Sequence, residues 1–508
     1  MGALRTGAVA IAAVAAMLAA ACTSRADRTT EVKPPPSGSP TDLQAFYQQK
    51  LGWADCKDGF QCSTVRVPRD YAKPDAGEMR IAVIRLPARD KANRVGSLLT
   101  NPGGPGGSGV DFVRENARSF GPALQSSFDI IGFDPRGVGN SDPVRCLSSQ
   151  QLDRYFATDS SPDDQQEVGD LVTVSKGFAN GCQSKAGSEL PYIGTVNAAR
   201  DIDVIRAALG DKKLTYLGFS YGTYLGAFYA QQFPKNVRAL VLDGAVDPKL
   251  TAEEVNVEQA KGFETALRAF AANCVRQPDC PLGTGSVDAA LDKVTELQKK
   301  ADRTPLRNTT GDGRQVTEAL ATLGIATALY SKQSWPALKL ALTRAIKDGD
   351  GTTLLKLGDI LVERKPDGSY SNQTESNMAI NCVDKPYPDT VDAVRKESDE
   401  AARTAPRFAP FVIWGSLPCT FWPAKPKSEP KALTADGAAP ILVIGTTRDP
   451  ATPYKWAQGL ASQLQSGVLL SLDGDGHTAY LQGNACISRA VEDYLINDKA
   501  PKDGTMCR

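Results

Sequence analysis

Histidine is almost absent from this chain: 508 residues hold a single one, His477. That scarcity excludes the zinc hydrolases whose sites gather several histidines, and it leaves imidazole-based proton transfer with one candidate. Net charge is absent as well. Lys and Arg number 58 and so do Asp and Glu, so the summed charge gives no reason to expect nucleic acid as a partner. None of the 11 cysteines falls in a CxxC pair, which leaves zinc and thiol-redox chemistry without a motif. No metal and no cofactor is expected. Internal repeats and long low-complexity tracts are also missing, and the 41% hydrophobic residues are spread along the length, enough for a sizeable core.

One apolar run stands out. Met1 to Thr6 carries a single cation, Arg5, and Gly7 to Ala21 is uninterrupted small and apolar sequence. About 15 residues is short of the roughly 20 that a spanning helix needs, so residues 1–21 read as an export signal. The run ends in Leu18-Ala19-Ala20-Ala21-Cys22, similar to a bacterial lipobox, in which Cys22 becomes the lipid-modified first residue. Ordinary signal-peptidase cleavage after Ala21 is the alternative. Either way the mature chain is expected outside the cytoplasm, held to the outer face of the membrane through Cys22 or free in the cell envelope. Residues 22–44, with Lys33-Pro34-Pro35-Pro36 at their centre, read as an extended, semi-rigid spacer. Setting Cys22 aside leaves ten cysteines that can all pair in an oxidising compartment. Neighbours in order give Cys56–Cys62, Cys146–Cys182, Cys274–Cys280, Cys382–Cys419 and Cys486–Cys507, although sequence alone does not fix connectivity.

From Phe60 onward short apolar strands alternate with helical stretches. Strands are expected at Ser63–Val67, Met79–Leu86, Gly96–Thr100, Phe128–Phe133, Leu214–Gly218 and Ala239–Leu242, and helices at Val196–Leu209 and Tyr221–Gln232. Such alternation implies a mostly parallel, doubly wound α/β sheet. After Pro248 the pattern turns helical: Glu253–Asn273, Val287–Ala301, Val316–Tyr330, Trp335–Lys347 and Thr352–Val362. Strands return at Pro440–Gly445 and Val468–Leu472. The simplest organisation is a core of residues 45–248, an inserted helical cap of residues 249–437, and residues 438–508 completing the core.

Leu214 to Gly222 runs from a strand into Gly218-Phe219-Ser220-Tyr221-Gly222 and then a helix. A G-x-S-x-G string alone is weak. Between a strand and a helix it becomes a nucleophile elbow, where flanking glycines make room for a turn too tight for side chains. A serine nucleophile needs a base near neutral pH, and His477 is the one available. It follows the last expected strand, in Asp473-Gly474-Asp475-Gly476-His477-Thr478. Asp449, just after the strand ending at Gly445, is the expected carboxylate for the far ring nitrogen. Asp473 and Asp475 lie too close in sequence to reach that nitrogen easily, and Asp243 and Asp247 are the alternative acids. An oxyanion hole is expected from the backbone amides of Tyr221 and Gly104, the latter in the glycine-rich loop Asn101–Gly107. A phosphate-binding loop is the competing reading of those glycines, but the Gly-Lys-Ser/Thr that should follow is absent.

These motifs resemble the tripeptidyl aminopeptidases, relatives of the prolyl aminopeptidases within the α/β-hydrolase fold. The resemblance spans nearly the whole mature chain. It rests on N-P-G-G-P-G-G-S-G at Asn101–Gly109, D-P-R-G-V-G-N-S at Asp134–Ser141, G-F-S-Y-G-T-Y-L-G at Gly218–Gly226, G-T-T-R-D-P-A-T-P at Gly445–Pro453 and G-H-T at Gly476–Thr478. The prolyl relatives carry a histidine where this chain has Pro102, which points away from strict proline specificity. Asp134 and Arg136 are expected to order the loop beside the site. The resemblance implies an exported serine peptidase that acts on peptides or proteins with free N-termini, through an acyl-enzyme on Ser220. The substrate's α-ammonium then needs a carboxylate roughly 10 Å from Ser220, at about 3.3–3.6 Å per extended residue; Glu375 and Asp384 in the cap are candidates, and solvated surface acids are the competing reading of each. Two other readings stay open: a cell-envelope esterase or lipase with the same triad, and an inactive scaffold serving as a surface binding protein.

Overall fold

The structure is a computed structural model that describes residues 43–426 and 429–508. The expected export signal, Cys22 and the spacer as far as residue 42 lie outside the described residues. Ten strands form one sheet: β1 (Ala54–Asp55), β2 (Gln61–Pro68), β3 (Glu78–Leu86), β4 (Gly96–Asn101), β5 (Phe128–Phe133), β6 (Leu214–Phe219), β7 (Val237–Asp243), β8 (Ile441–Arg448), β9 (Gly467–Asp475) and β10 (Thr505–Cys507). Their order is β1-β2-β3-β5-β4-β6-β7-β8-β9-β10. The pairings among β1, β2, β3 and β5 are antiparallel, and every pairing from β5 through β4 to β10 is parallel. This is the mostly parallel α/β sheet that the alternation implied.

Strand periodicity divides the core in two. Leu99, Ile131, Tyr216, Leu240 and Val443 point to one face, where the helices Thr195–Ala208 and Tyr221–Gln232 cover them with Ile202, Val204, Leu225 and Tyr229. Their chain neighbours Leu98, Ile130, Leu217, Val241 and Leu442 point to the other, beneath Val113 of Gly109–Asn116 and Ile487 and Val491 of Ala485–Asn497. Period-2 alternation in strands buried on both faces is why these segments read as continuous apolar runs.

The helices after Pro248 fall close to expectation: Ala252–Cys274, Val287–Arg303, Glu318–Leu329, Trp335–Asp348 and Thr352–Leu361, followed by Gln373–Asp384, Val391–Ala402 and Ala409–Gly415. The helix expected from Val316 begins at Glu318, because Val316 pairs with Leu306 in an isolated bridge and the Thr317 side chain caps the helix. Two further helices, Ser149–Ala157 and Gln165–Ala186, lie between β5 and β6. The Asp153 carboxylate accepts from Arg364 Nε at 2.7 Å and from the Tyr370 hydroxyl at 2.6 Å, and Gln165–Ala186 packs on Leu417–Phe421. The helical layer is therefore drawn from two stretches of chain, residues 149–186 as well as the insertion after β7. The structure joins the ten described cysteines as Cys56–Cys62, Cys146–Cys182, Cys274–Cys280, Cys382–Cys419 and Cys486–Cys507. No helix among the described residues is long and apolar enough to cross a membrane.

Candidate active site

Three parallel strands end side by side at the site: β6 at Ser220, β7 at Asp243 and β8 at Asp449. Ser220 sits between β6 and the helix Tyr221–Gln232 with φ 53° and ψ −125°, a left-handed turn that costs a non-glycine residue about 1–3 kcal/mol. The surroundings hold it there. Its amide donates to Asp243 O at 2.9 Å, and its carbonyl accepts from Thr223 N at 2.8 Å and Thr223 Oγ1 at 2.6 Å. Both flanking glycines are obligatory. A Cβ on Gly218 would come within 2.4 Å of Gly222 O, and one on Gly222 within 2.7 Å of Asn101 O.

His477 lies in the loop after β9. Its Nδ1 is 2.9 Å from Asp449 Oδ1 and 3.0 Å from Oδ2. Asp449 is buried and heavily bonded, accepting from Ala451 N at 2.9 Å, Thr452 N at 2.8 Å, Thr452 Oγ1 at 2.9 Å and Thr478 N at 3.1 Å. Burial works against an imidazolium at His477. The neighbouring Asp449 charge and hydrogen bond, with the charge of Asp243 behind them, outweigh it and hold the pKa above the usual 6.5. Tyr330, at the C-terminal end of Glu318–Leu329, stands edge-on to the imidazole with ring centroids 5.3 Å apart. The Tyr330 carbonyl also accepts the His477 amide at 2.8 Å.

The alternative acids are occupied elsewhere. Asp243 accepts from Ala479 N and Tyr480 N, so it shapes the histidine loop without bonding the ring, and burial pushes its pKa up to about 7. Asp247 accepts from Lys249 N and Gln463 Nε2. Asp473 and Asp475 pair with Arg448, at 3.0 Å and 2.6 Å.

The glycine-rich loop presses directly on the elbow. A Cβ on Gly103 would lie 2.5 Å from Phe219 O, 2.9 Å from Ser220 Cβ and 3.1 Å from Tyr221 N. Among the described residues no hydrogen bond engages the amide of Gly104 or of Tyr221, and the Tyr221 amide sits at a helix N-terminus, where the dipole favours an anion. Asp134 braces this loop, accepting from Ser108 Oγ at 2.6 Å, Val110 N at 3.0 Å and Asn140 N at 2.8 Å. Arg136 is wholly buried against Asp201, with Nε to Oδ2 at 2.6 Å, and donates to the carbonyls of Pro68, Arg69 and Tyr192. Both residues are scaffolding, as the sequence suggested.

A cavity of about 320 Å³ lies within the helical layer; Tyr330, the neighbour of His477, is in its wall, and Ser220, Asp449 and His477 are not. Aromatic rings, among them Tyr155, Phe263, Tyr330 and Trp414, line it with the amides of Asn256, Gln259, Asn377 and Asn381, and no lining side chain is charged. Asn377 Nδ2 donates to Pro105 O at 3.0 Å, and Gln259 Nε2 to Ala451 O at 2.9 Å, so two lining side chains tie the helical layer to the loops that carry Gly104 and Asp449. Neither cap acid expected to meet a substrate amine reaches it. Glu375 is buried with Oε1 on the amides of Cys146 and Leu147. Asp384 accepts from Thr195 N at 2.7 Å and Thr195 Oγ1 at 2.5 Å. Each thus has one or more partners in the core segment of residues 146–195. Tyr330, Thr452 and Gln259 were not singled out from sequence.

Fold and site together define a serine hydrolase. Residues 96–484 match the alpha/beta hydrolase fold family, and the chain belongs to it. The serine protease Hip1 of Mycobacterium tuberculosis is 39% identical over 90% of this chain and 91% of its own. Carboxylesterase B of the same organism is 39% identical over 93% and 92%. The tripeptidyl aminopeptidase of Streptomyces lividans is 30% identical over 90% and 86%, which bears out the resemblance read from the motifs.

Proposed function

We propose that this chain is an exported serine aminopeptidase that releases tripeptides from free N-termini. Ser220 Oγ attacks the scissile carbonyl while His477 Nε2 takes its proton. Asp449 keeps the proton on Nδ1 and stabilises the imidazolium that forms. The amides of Tyr221 and Gly104 receive the oxyanion. His477 then returns the proton to the leaving amine, and water activated by the same imidazole cleaves the acyl-enzyme.

The observation that carries this reading is the hydrogen-bonded His477–Asp449 pair at the strand ends that also carry the strained Ser220 elbow, with Tyr330 joining the histidine to a cavity in the helical layer. Five disulfides support an oxidising compartment, and Leu18–Cys22 supports a lipid anchor at Cys22 on the outer face of the membrane. A second reading, an envelope esterase with the same triad, is favoured by one observation: the uncharged cavity lining.

Chromogenic tripeptides with free and with acetylated amines, run beside short and long acyl esters, separate the two. The peptidase reading requires the free tripeptide to be cleaved fastest. Equal cleavage of free and blocked peptides, with an ester faster than both, establishes the esterase.

A further inference from the structure

We propose that Asp159, Glu167 and Asp302 form a calcium site that ties the helices between β5 and β6 to the helices after β7. The ion is structural and takes no part in the chemistry of Ser220, so the proposal holds whether that serine cleaves amides or esters. The sequence motifs carry no expectation of a metal, because the three acids come from two distant stretches of chain.

Asp159 lies in the turn between Ser149–Ala157 and Gln165–Ala186, Glu167 in the first turn of the second of these helices, and Asp302 next to the end of Val287–Arg303. One carboxylate oxygen from each lies within 4.8 Å of the other two. Opposite ligands of a calcium ion, at about 2.3–2.6 Å each, stand at such a spacing. The donors are all hard oxygen, with neither His nor Cys among them, which excludes the softer transition metals. Drawn from three separate elements, they suit calcium, which accepts irregular coordination, better than magnesium, which demands an octahedron. Their own hydrogen bonds leave oxygens over. Asp159 Oδ1 accepts from Ser161 N at 2.8 Å and Glu167 Oε2 from Asp163 N at 2.9 Å, while among the described residues nothing donates to Asp159 Oδ2, to Glu167 Oε1 or to Asp302.

A fourth acid points the same way. Glu318 is only 6% exposed; its Oε1 accepts from Thr322 Oγ1 at 2.7 Å, and its Oε2 is buried without a partner. The carboxyl faces the cluster, since Ser161 stands beside it and the charges of Asp159 and Asp302 bear on it. A buried carboxylate oxygen left unpaired among like charges is costly unless a cation joins them. The protein supplies little of that charge itself: among the described residues none of the four acids is in an ion pair, and Arg303 is the cation that eases Asp302. Helix dipoles do not account for the cluster either. They favour Glu167 and Glu318 in first turns but oppose Asp302 in a last turn. The placement gives the ion a mechanical role. Glu318–Leu329 packs on Ser149–Ala157 and on Val287–Arg303, and it ends at Tyr330, whose carbonyl accepts the His477 amide. An ion at the Glu318 end therefore secures the helix that positions the catalytic base.

The test is calorimetric titration of the chelator-treated mature protein with calcium chloride, paired with thermal melting in EDTA and in about 5 mM calcium. Sites in extracellular modules bind with Kd of about 10⁻⁴–10⁻³ M, and the wild type should show one site of that affinity or tighter and melt at least about 2 °C higher in calcium. Asp302→Asn, at an exposed position that tolerates the change, should lose the binding and the response to calcium, yet melt no lower than the wild type in EDTA because a repulsion has been removed. Glu318→Gln should weaken calcium binding at least about threefold. Asp288→Asn, on the same helix as Asp302 but paired with Arg268, should bind as the wild type does. Absence of a calcium site in the wild type overturns the proposal, and so does undiminished binding in Asp302→Asn. Magnesium binding as tightly as calcium, with an equal rise in melting temperature, refutes the choice of ion.

Discussion

Replacing Asp449 by Asn changes one atom and reverses the direction of a hydrogen bond. Asp449 accepts from Ala451 N, Thr452 N, Thr452 Oγ1, Thr478 N and His477 Nδ1, all between 2.8 and 3.1 Å. An asparagine can keep its carbonyl on Ala451 and Thr452, but its NH2 group then faces the Thr478 amide and the imidazole. His477 answers by taking the other tautomer, with the proton on Nε2, and so cannot accept one from Ser220. A triad in the wrong tautomer loses about ten-thousand-fold in kcat, roughly 5.5 kcal/mol at 1.36 kcal/mol per decade. The opposed donors cost folding only about 1–3 kcal/mol, so the variant stays folded. The pH profile gives a second signature. Turnover needs neutral His477 and is lost as pH falls through its pKa, which Asp449 holds above 6.5. With that charge removed, burial dominates, and the acid limb of the residual activity moves down. The assay is kcat/KM on a chromogenic peptide from pH 5 to 9, with fluorophosphonate labelling and Ser220→Ala as the inert baseline. A loss smaller than tenfold, or an acid limb that does not move, refutes the assignment of Asp449.

Two further outcomes follow. Arg136→Leu leaves the buried Asp201 with the Tyr71 hydroxyl, 2.8 Å away, and the more distant charge of Arg200, and should cost about 3–5 kcal/mol in urea unfolding; a change below about 1 kcal/mol would mean the pair does not order this corner. Mass spectrometry of the mature protein should find the chain starting at a lipid-modified Cys22 with no free thiol among the other ten cysteines; an unlipidated start at Cys22, or reduced protein accumulating in the cytoplasm, overturns the lipoprotein assignment.

The sheet was legible because its strands are buried on both faces and ended by turn residues. Phe128–Phe133 and Tyr221–Gln232 fall at the expected bounds. β1 and β10, of two and three residues, are too short to carry a period. Gln165–Ala186 was overlooked although Val168, Leu171, Ser175, Phe178, Ala179 and Cys182 form a buried stripe at helical spacing; Gly169, Gly177 and Gly181 and the polar residues between diluted it. The histidine, its acid and the elbow could be named because each follows a strand, a position that sequence reveals. Glu375 could not be judged in the same way. Its partners are the amides of Cys146 and Leu147, more than 200 residues away, and a carboxylate's neighbours, not its letter in the sequence, decide whether it is free to bind.

Tyr330 has a mechanical meaning. Its carbonyl carries the amide of His477 and its ring steadies the imidazole, while Ser331 bridges to Gly476. The base thus hangs from the roof of the chamber, and a roof that swung aside would carry the histidine out of alignment with the serine. Turnover and a gaping entrance exclude each other in such a design. Substrate must thread in while the ceiling stays shut, which favours a small or extended molecule over a bulky folded one.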